Sequence, residues 1–93
     1  MGPSNRIIVT VLGKDRVGII AGVAQVLAEN NVNILDISQT ILQEFLAMVL
    51  IADMSGSRVD LTTLKAQLDA RGKELGVRID AQHEDAFLYM HRV

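Results

Sequence analysis

Val32–Asp53, VNILDISQTILQEFLAMVLIAD, is the stretch on which the fold turns. It holds two extended runs, Val32–Gln43 and Phe45–Asp53, rich in aliphatic and β-branched residues with almost nothing between them. The simplest pairing is an antiparallel hairpin turning near Gln43 and Glu44. That turn has no glycine, which leaves its type open. Apolar residues fall on both alternating faces, Ile34 and Leu42 against Leu35, Ile37 and Ile41. One face is expected to cover the core, and the other to bury against a second subunit or the C-terminal segment, because a wet apolar patch of that size is rare.

Helical patterns flank the hairpin on both sides. Upstream, Ile19, Val23, Val26 and Leu27 recur at helical spacing within Arg16–Glu29, with Asp15 as the N-cap candidate and Asn30 and Asn31 suited to the exit. Downstream, Leu61, Leu64, Leu68 and Leu75 form a stripe that starts after Asp60, a capping residue, and stops at Gly76. Arg6–Leu12 (RIIVTVL) reads as a first strand. Val77–Glu84, alternating Val77, Ile79, Ala81 and His83 with Arg78, Asp80, Gln82 and Glu84, reads as a last one. The order β-α-β-β-α-β predicts an α+β, ferredoxin-like fold, a four-stranded antiparallel sheet with two helices on one face. Asp85–Val93 (DAFLYMHRV) spaces Phe87, Met90 and Val93 by three and predicts a short docked C-terminal helix. The expected organisation is a loose polar lead-in over 1–5, one domain over 6–84 and a helical extension over 85–93.

Composition removes several function classes. The chain has 93 residues, a formal net charge of -2 and scattered basic residues, so it carries no electrostatic footprint for nucleic acid. With no cysteine it has no disulfide, thiolate site or cysteine nucleophile. The apolar run after Arg6 ends at Leu12, too short for a signal-peptide core or a membrane span, so the expected location is cytoplasmic with no membrane partner. His83 and His91 lie too far apart for the usual helical metal pair, and no metal or other cofactor is expected.

The segment Gly13–Gly18, GKDRVG, carries the chemistry. It delivers the chain to a helix N-terminus, where unpaired N–H groups and a partial positive charge suit a small anion, and Gly18 allows close approach. The alternative is that Gly18 only permits tight helix-on-sheet packing and Asp15 only caps. Ile19 and Ile20 stand where a phosphate-binding P-loop needs Lys and Ser or Thr, and neither G-x-G-x-x-G nor G-x-S-x-G occurs. An acylphosphatase would need a different first loop, and an RNA-recognition sheet would need aromatics on Arg6–Leu12. No catalytic residue is assigned and no enzyme is expected.

In the Gly-containing turn, the D-R-x-G-I-I helix entry (Asp15, Arg16, Gly18, Ile19, Ile20) and the Asn33-Ile34 pair opening the second strand, the chain resembles an ACT domain, the small-molecule-sensing module of amino-acid metabolism. The length is most similar to the short stand-alone bacterial and archaeal ACT proteins. The resemblance implies a homodimer whose ligand, a free amino acid, sits between subunits, held by Lys14, Asp15, Arg16, Val17, Gly18 and Ile19 of one chain and Asn33, Ile34, Leu35, Asp36 and Ser38 of the other. Asp36 would accept the ammonium and the N–H groups near Gly18 the carboxylate. Asp36 can equally be an edge-strand charge that blunts aggregation. Asp15, if it caps, would compete with the ligand carboxylate. The alternative function is a dimerisation or adaptor module that binds no ligand.

Overall fold

The computed structural model describes residues 5–90. The lead-in Met1–Ser4 and the tail His91–Val93, with the histidine and the valine singled out there, lie outside them. The elements run β1 (Arg6–Lys14), α1 (Ile19–Glu29), β2 (Asn33–Leu42), β3 (Phe45–Asp53), α2 (Leu61–Leu75), β4 (Val77–His83) and α3 (Glu84–Met90). The sheet has the order β2-β3-β1-β4 and all its neighbours are antiparallel. No helix among the described residues is long and apolar enough to cross a membrane.

Alternation along the central strands makes two faces. Ile7, Val9 and Val11 of β1, Leu46, Met48, Leu50 and Ala52 of β3, and Ile79 and Ala81 of β4 join Ile19, Val23, Val26 and Leu27 of α1 and Leu64 and Leu68 of α2 in one aliphatic core. The opposite, open face carries Ile8, Thr10 and Leu12, their register partners Ile51, Val49 and Ala47, and Asp80 and Gln82. The helices lock together through polar contacts as well as apolar ones. The buried Asn30 Nδ2 donates to Val26 O (2.8 Å) and to Gln67 Oε1 (2.6 Å), and Arg71 Nη1 donates to Gly22 O (3.2 Å).

The hairpin turns at Gln43 and Glu44, with Leu42 opposite Phe45, and Gln43 takes a positive φ of 57° that a glycine would have adopted more easily. Asn31, at φ 58°, provides the left-handed exit from α1. The face assignment of β2 needs correction. A bulge between Ile34 and Asp36 shifts the register, so Ile34, Ile37 and Ile41 lie opposite the core residues Ala52, Leu50 and Leu46, while Leu42 shares the open face with Phe45. Simple alternation had separated Ile34 from Ile37. Two consecutive apolar residues, Ile34 and Leu35, are the sequence mark of that break.

The start of α2 matches its sequence signal. Asp60 Oδ1 accepts the Thr63 N–H at 2.8 Å, and the Thr63 side chain, followed by this backbone bond, holds the Asp60 carboxyl below its ordinary value of 3.8. A lowered folded-state pKa means the cap stabilises fully above the unfolded value and loses its contribution as pH falls through the folded one. Asp60→Ala is therefore expected to melt lower than the parent near neutral pH, with the gap closing as the pH is taken below 3.8. Melting curves of both proteins across that window check it, and a gap independent of pH would contradict the cap.

Candidate functional site

The segment between β1 and α1 is strapped to the hairpin end of the sheet. Lys14 pairs with Phe45 in the ladder, Asp15 N–H donates to Glu44 O at 2.7 Å, and Lys14 Nζ stands 3.9 Å from Glu44 Oε2. Both charges are exposed, so the ion pair adds little. The chain then enters α1 through Gly18, whose φ of 95° and ψ of -5° place the N-cap in the left-handed region. The helix begins three residues later than the sequence pattern suggested.

Two sequence expectations are corrected here. Asp15 is not the N-cap: Gly18 occupies that position, and no side chain caps the helix. The anticipated rivalry between a capping carboxylate and a ligand carboxylate therefore does not arise. Nor does Gly18 serve close packing, since a Cβ built on it would meet nothing within 4 Å. The tight helix-to-helix approach is at Gly22, where a Cβ would come within 2.9 Å of Leu75 Cδ1. Gly18 is required by its dihedral angles alone. Gly18→Ala should cost about 1–2 kcal/mol from backbone strain without a steric clash. Urea unfolding checks this, and a neutral result would show the entry can relax to another conformation.

Without a side-chain cap, the first-turn N–H groups at Ile19, Ile20 and Ala21 have no intrahelical acceptor and carry the positive end of the helix dipole. They border a hollow of about 270 Å³ formed by Asp15–Ala21 together with Gln39, Ile41 and Leu46. Its chemistry is two-sided. The uncapped first turn belongs to its lining, and Ile20, Ile41 and Leu46 give it apolar surface. Arg16 borders the hollow, yet its Nη1 donates to Leu75 O (3.1 Å), at the negative end of α2. Val17 is 99% exposed at the rim.

Of the residues implied by the resemblance, Asp15, Arg16, Val17, Gly18 and Ile19 come together around this hollow, with Lys14 next to it on the hairpin side. The strand set does not join them within one chain. Asn33, Ile34, Leu35 and Asp36 occupy the other half of β2 and Ser38 adjoins the lining residue Gln39; at about 3.4 Å per residue Asp36 lies about 10 Å along the strand from Gln39. The exposed Asp36 turns Oδ1 onto the Ile37 N–H at 2.9 Å, bracing the bulge. The lining residues that sequence reasoning missed are Ile20, Ala21, Gln39, Ile41 and Leu46. Counting back from the hairpin turn would have placed Ile41 opposite Leu46 at the loop end of the sheet. His83 Nδ1 accepts the Asp85 N–H at 3.1 Å, a local brace at the start of α3. Among the described residues no group of three His, Cys, Asp or Glu could hold a metal ion.

Comparison with known proteins gives the site its context. The ACT-domain family model matches residues 5–82. A UPF0237 protein of Methanocaldococcus jannaschii is 55% identical over 89 residues, covering 96% of this chain and 99% of its own. Among solved structures, an ACT domain protein from Streptococcus pneumoniae superposes with a TM-score of 0.78 at 40% identity, covering 92% of this chain and 96% of its own. The regulatory subunit of aspartate kinase from Thermus thermophilus shares the fold at a TM-score of 0.65 and 20% identity, over 84% of this chain and 50% of its own.

Proposed function

The chain belongs to the ACT-domain family, whose members are generally regulatory and ligand-binding, and on that premise we propose that it is a sensor that binds a free amino acid as a homodimer. The observation that carries this reading is the uncapped, Gly18-entered N-terminus of α1 opening onto a hollow of about 270 Å³ with an apolar wall. A free amino acid has the matching parts. Its carboxylate meets the amide donors and its side chain lies against Ile41 and Leu46. Its ammonium needs an acceptor: within one chain the Asp15 carboxylate and the Gln39 amide border the hollow, while Asp36 is displaced along β2. A second subunit presenting its own β2 edge, with Asn33–Ser38, adds the Asp36 carboxylate to that set.

Exposure of β2 supports an edge partner: Leu35, Ile37 and Ile41 remain 42–51% exposed beside unpaired strand backbone. The same exposure favours the second reading, a dimerisation module that binds no ligand. Melting the protein in the presence of each common amino acid at millimolar concentration separates the two. A concentration-dependent rise in Tm with at least one of them is expected, and a flat panel would move the dimerisation reading to first place.

A further inference from the structure

Along β4, Arg78, Asp80 and Gln82 alternate away from the core, and antiparallel pairing sets them opposite Leu12, Thr10 and Ile8 on the open face of the sheet. A polar row on such a face is ordinarily wet. Here one end of it is covered. β4 ends at His83 and α3 begins at Glu84, so the chain has no spare length to leave the sheet, and α3 packs back on β1 and β4. Ile8 is accordingly 7% exposed, while Leu12, four residues further along β1, is 49% exposed. Between Phe87 of α3 and these strands lies a hollow of about 320 Å³, covered at the Ile8 end. That volume falls at the lower end of the range of about 300–1,000 Å³ typical of small-molecule sites.

Its lining selects a chemistry. Ile8, Leu12 and Phe87 give apolar surface, and Thr10, Asp80 and Gln82 give polar groups. The charge among them is the Asp80 carboxylate, whose Oδ2 already accepts from Arg78 Nε at 3.0 Å, so the hollow calls for no second cation and its lining holds none for a carboxylate. Gln82 adds the specific signal. Its Oε1 is buried and, among the described residues, has no hydrogen-bond partner, an uncommon state for a buried amide. The terminal torsion of glutamine is soft, so this oxygen can turn to a donor held in the hollow. A flat ring suits the gap between a helix and a sheet face and meets the Phe87 ring with favourable geometry. We propose that the hollow binds a small uncharged aromatic molecule bearing an N–H donor, with its ring between Phe87 and Leu12 and its N–H on Gln82 Oε1. This site lies on the opposite side of the sheet from the hollow at Gly18, and it stands independently of the amino-acid reading.

Indole and N-methylindole, the same ring with and without the donor, are the probes. The chain has no tryptophan, so indole emission excited beyond the tyrosine band reports binding free of protein background. Indole is expected to bind about tenfold tighter, the gain from satisfying one buried acceptor. A merely apolar hollow would give the reverse order, because the added methyl group brings more surface to bury. In Gln82→Met, which keeps a side chain of similar length without the amide, the preference for indole is expected to vanish. Backbone amide shifts on adding indole to the wild type are expected at Thr10, Leu12, Gln82 and Phe87, and not at Gly18 or Ile20. No binding at millimolar indole, N-methylindole binding as well as indole, or shifts centred on Gly18 overturns the site. A preference that survives in cooperatively melting Gln82→Met overturns the contact to Gln82. Should that variant not melt cooperatively, the wild-type preference and the shift map decide.

Discussion

Leu68→Ala is expected to cost about 2–5 kcal/mol, the range for emptying a fully buried leucine site that cannot collapse. α2 is unusually dependent on this residue. Along its 15 residues only Leu64, Leu68 and Gly72 are buried, and the rest of the helix surface is largely polar or charged. Gly72 cannot help fill a void, because a Cβ there would stand 2.7 Å from Val77 O. Leu68, 1% exposed, is therefore one of the two fully buried anchors of the helix, with Leu64, while Leu61 and Leu75 pack only partly against the core. In a domain of this size each kcal/mol moves Tm by roughly 4–8 °C, so a fall on the order of 10–30 °C follows. Urea unfolding at a fixed chain concentration measures it, since association contributes to apparent stability. A loss under about 1 kcal/mol would mean that α2 is held by something other than its leucine stripe.

A bound amino acid should act in the opposite direction. At 100 times its dissociation constant, a ligand that binds only the folded state adds about 2.7 kcal/mol, and the same conversion gives a Tm rise of roughly 10–20 °C. Two substitutions divide the site. Gly18→Val is expected to abolish the response by placing a branched side chain at the helix entry, and because it also strains φ 95° its own melting must be recorded first. Asp36→Ala is the cleaner probe. The residue is exposed and its one recorded bond, to the Ile37 N–H, lies on the edge strand, so the unliganded variant should stay within about 0.5 kcal/mol of the parent. If it keeps the full response, the ammonium contact belongs to another acceptor, with Asp15 at the hollow the next to test.

Much of this architecture was legible in the residues because the signals are local. β-branched runs, helical periodicity, Asp60 before a leucine stripe and Gly76 after it each act over a few positions, and the elements lie where those signals placed them. The start of α1 was read too early, because Asp15 looks like a cap whenever the chain beyond it is helical. Its backbone is instead drawn to Glu44, 29 positions away, and no pattern in the loop records that bond. The loop half of the candidate site was visible in GKDRVG, but the wall formed by Gln39, Ile41 and Leu46 was not, since it depends on which end of β2 lies beside the loop.

By itself, the sequence determined the order and type of the elements, the aliphatic core and the family resemblance, all properties of composition and short-range spacing. Only the tertiary structure decided the register of β2 across its bulge, the shift of the α1 N-cap to Gly18 and the exposure of Leu42 and Phe45 on the open face. The physical reason is that strand alternation has a period of two. One extra residue in a ladder therefore reverses every side chain beyond it, and that choice is made by the partner strand, outside the reach of local pattern.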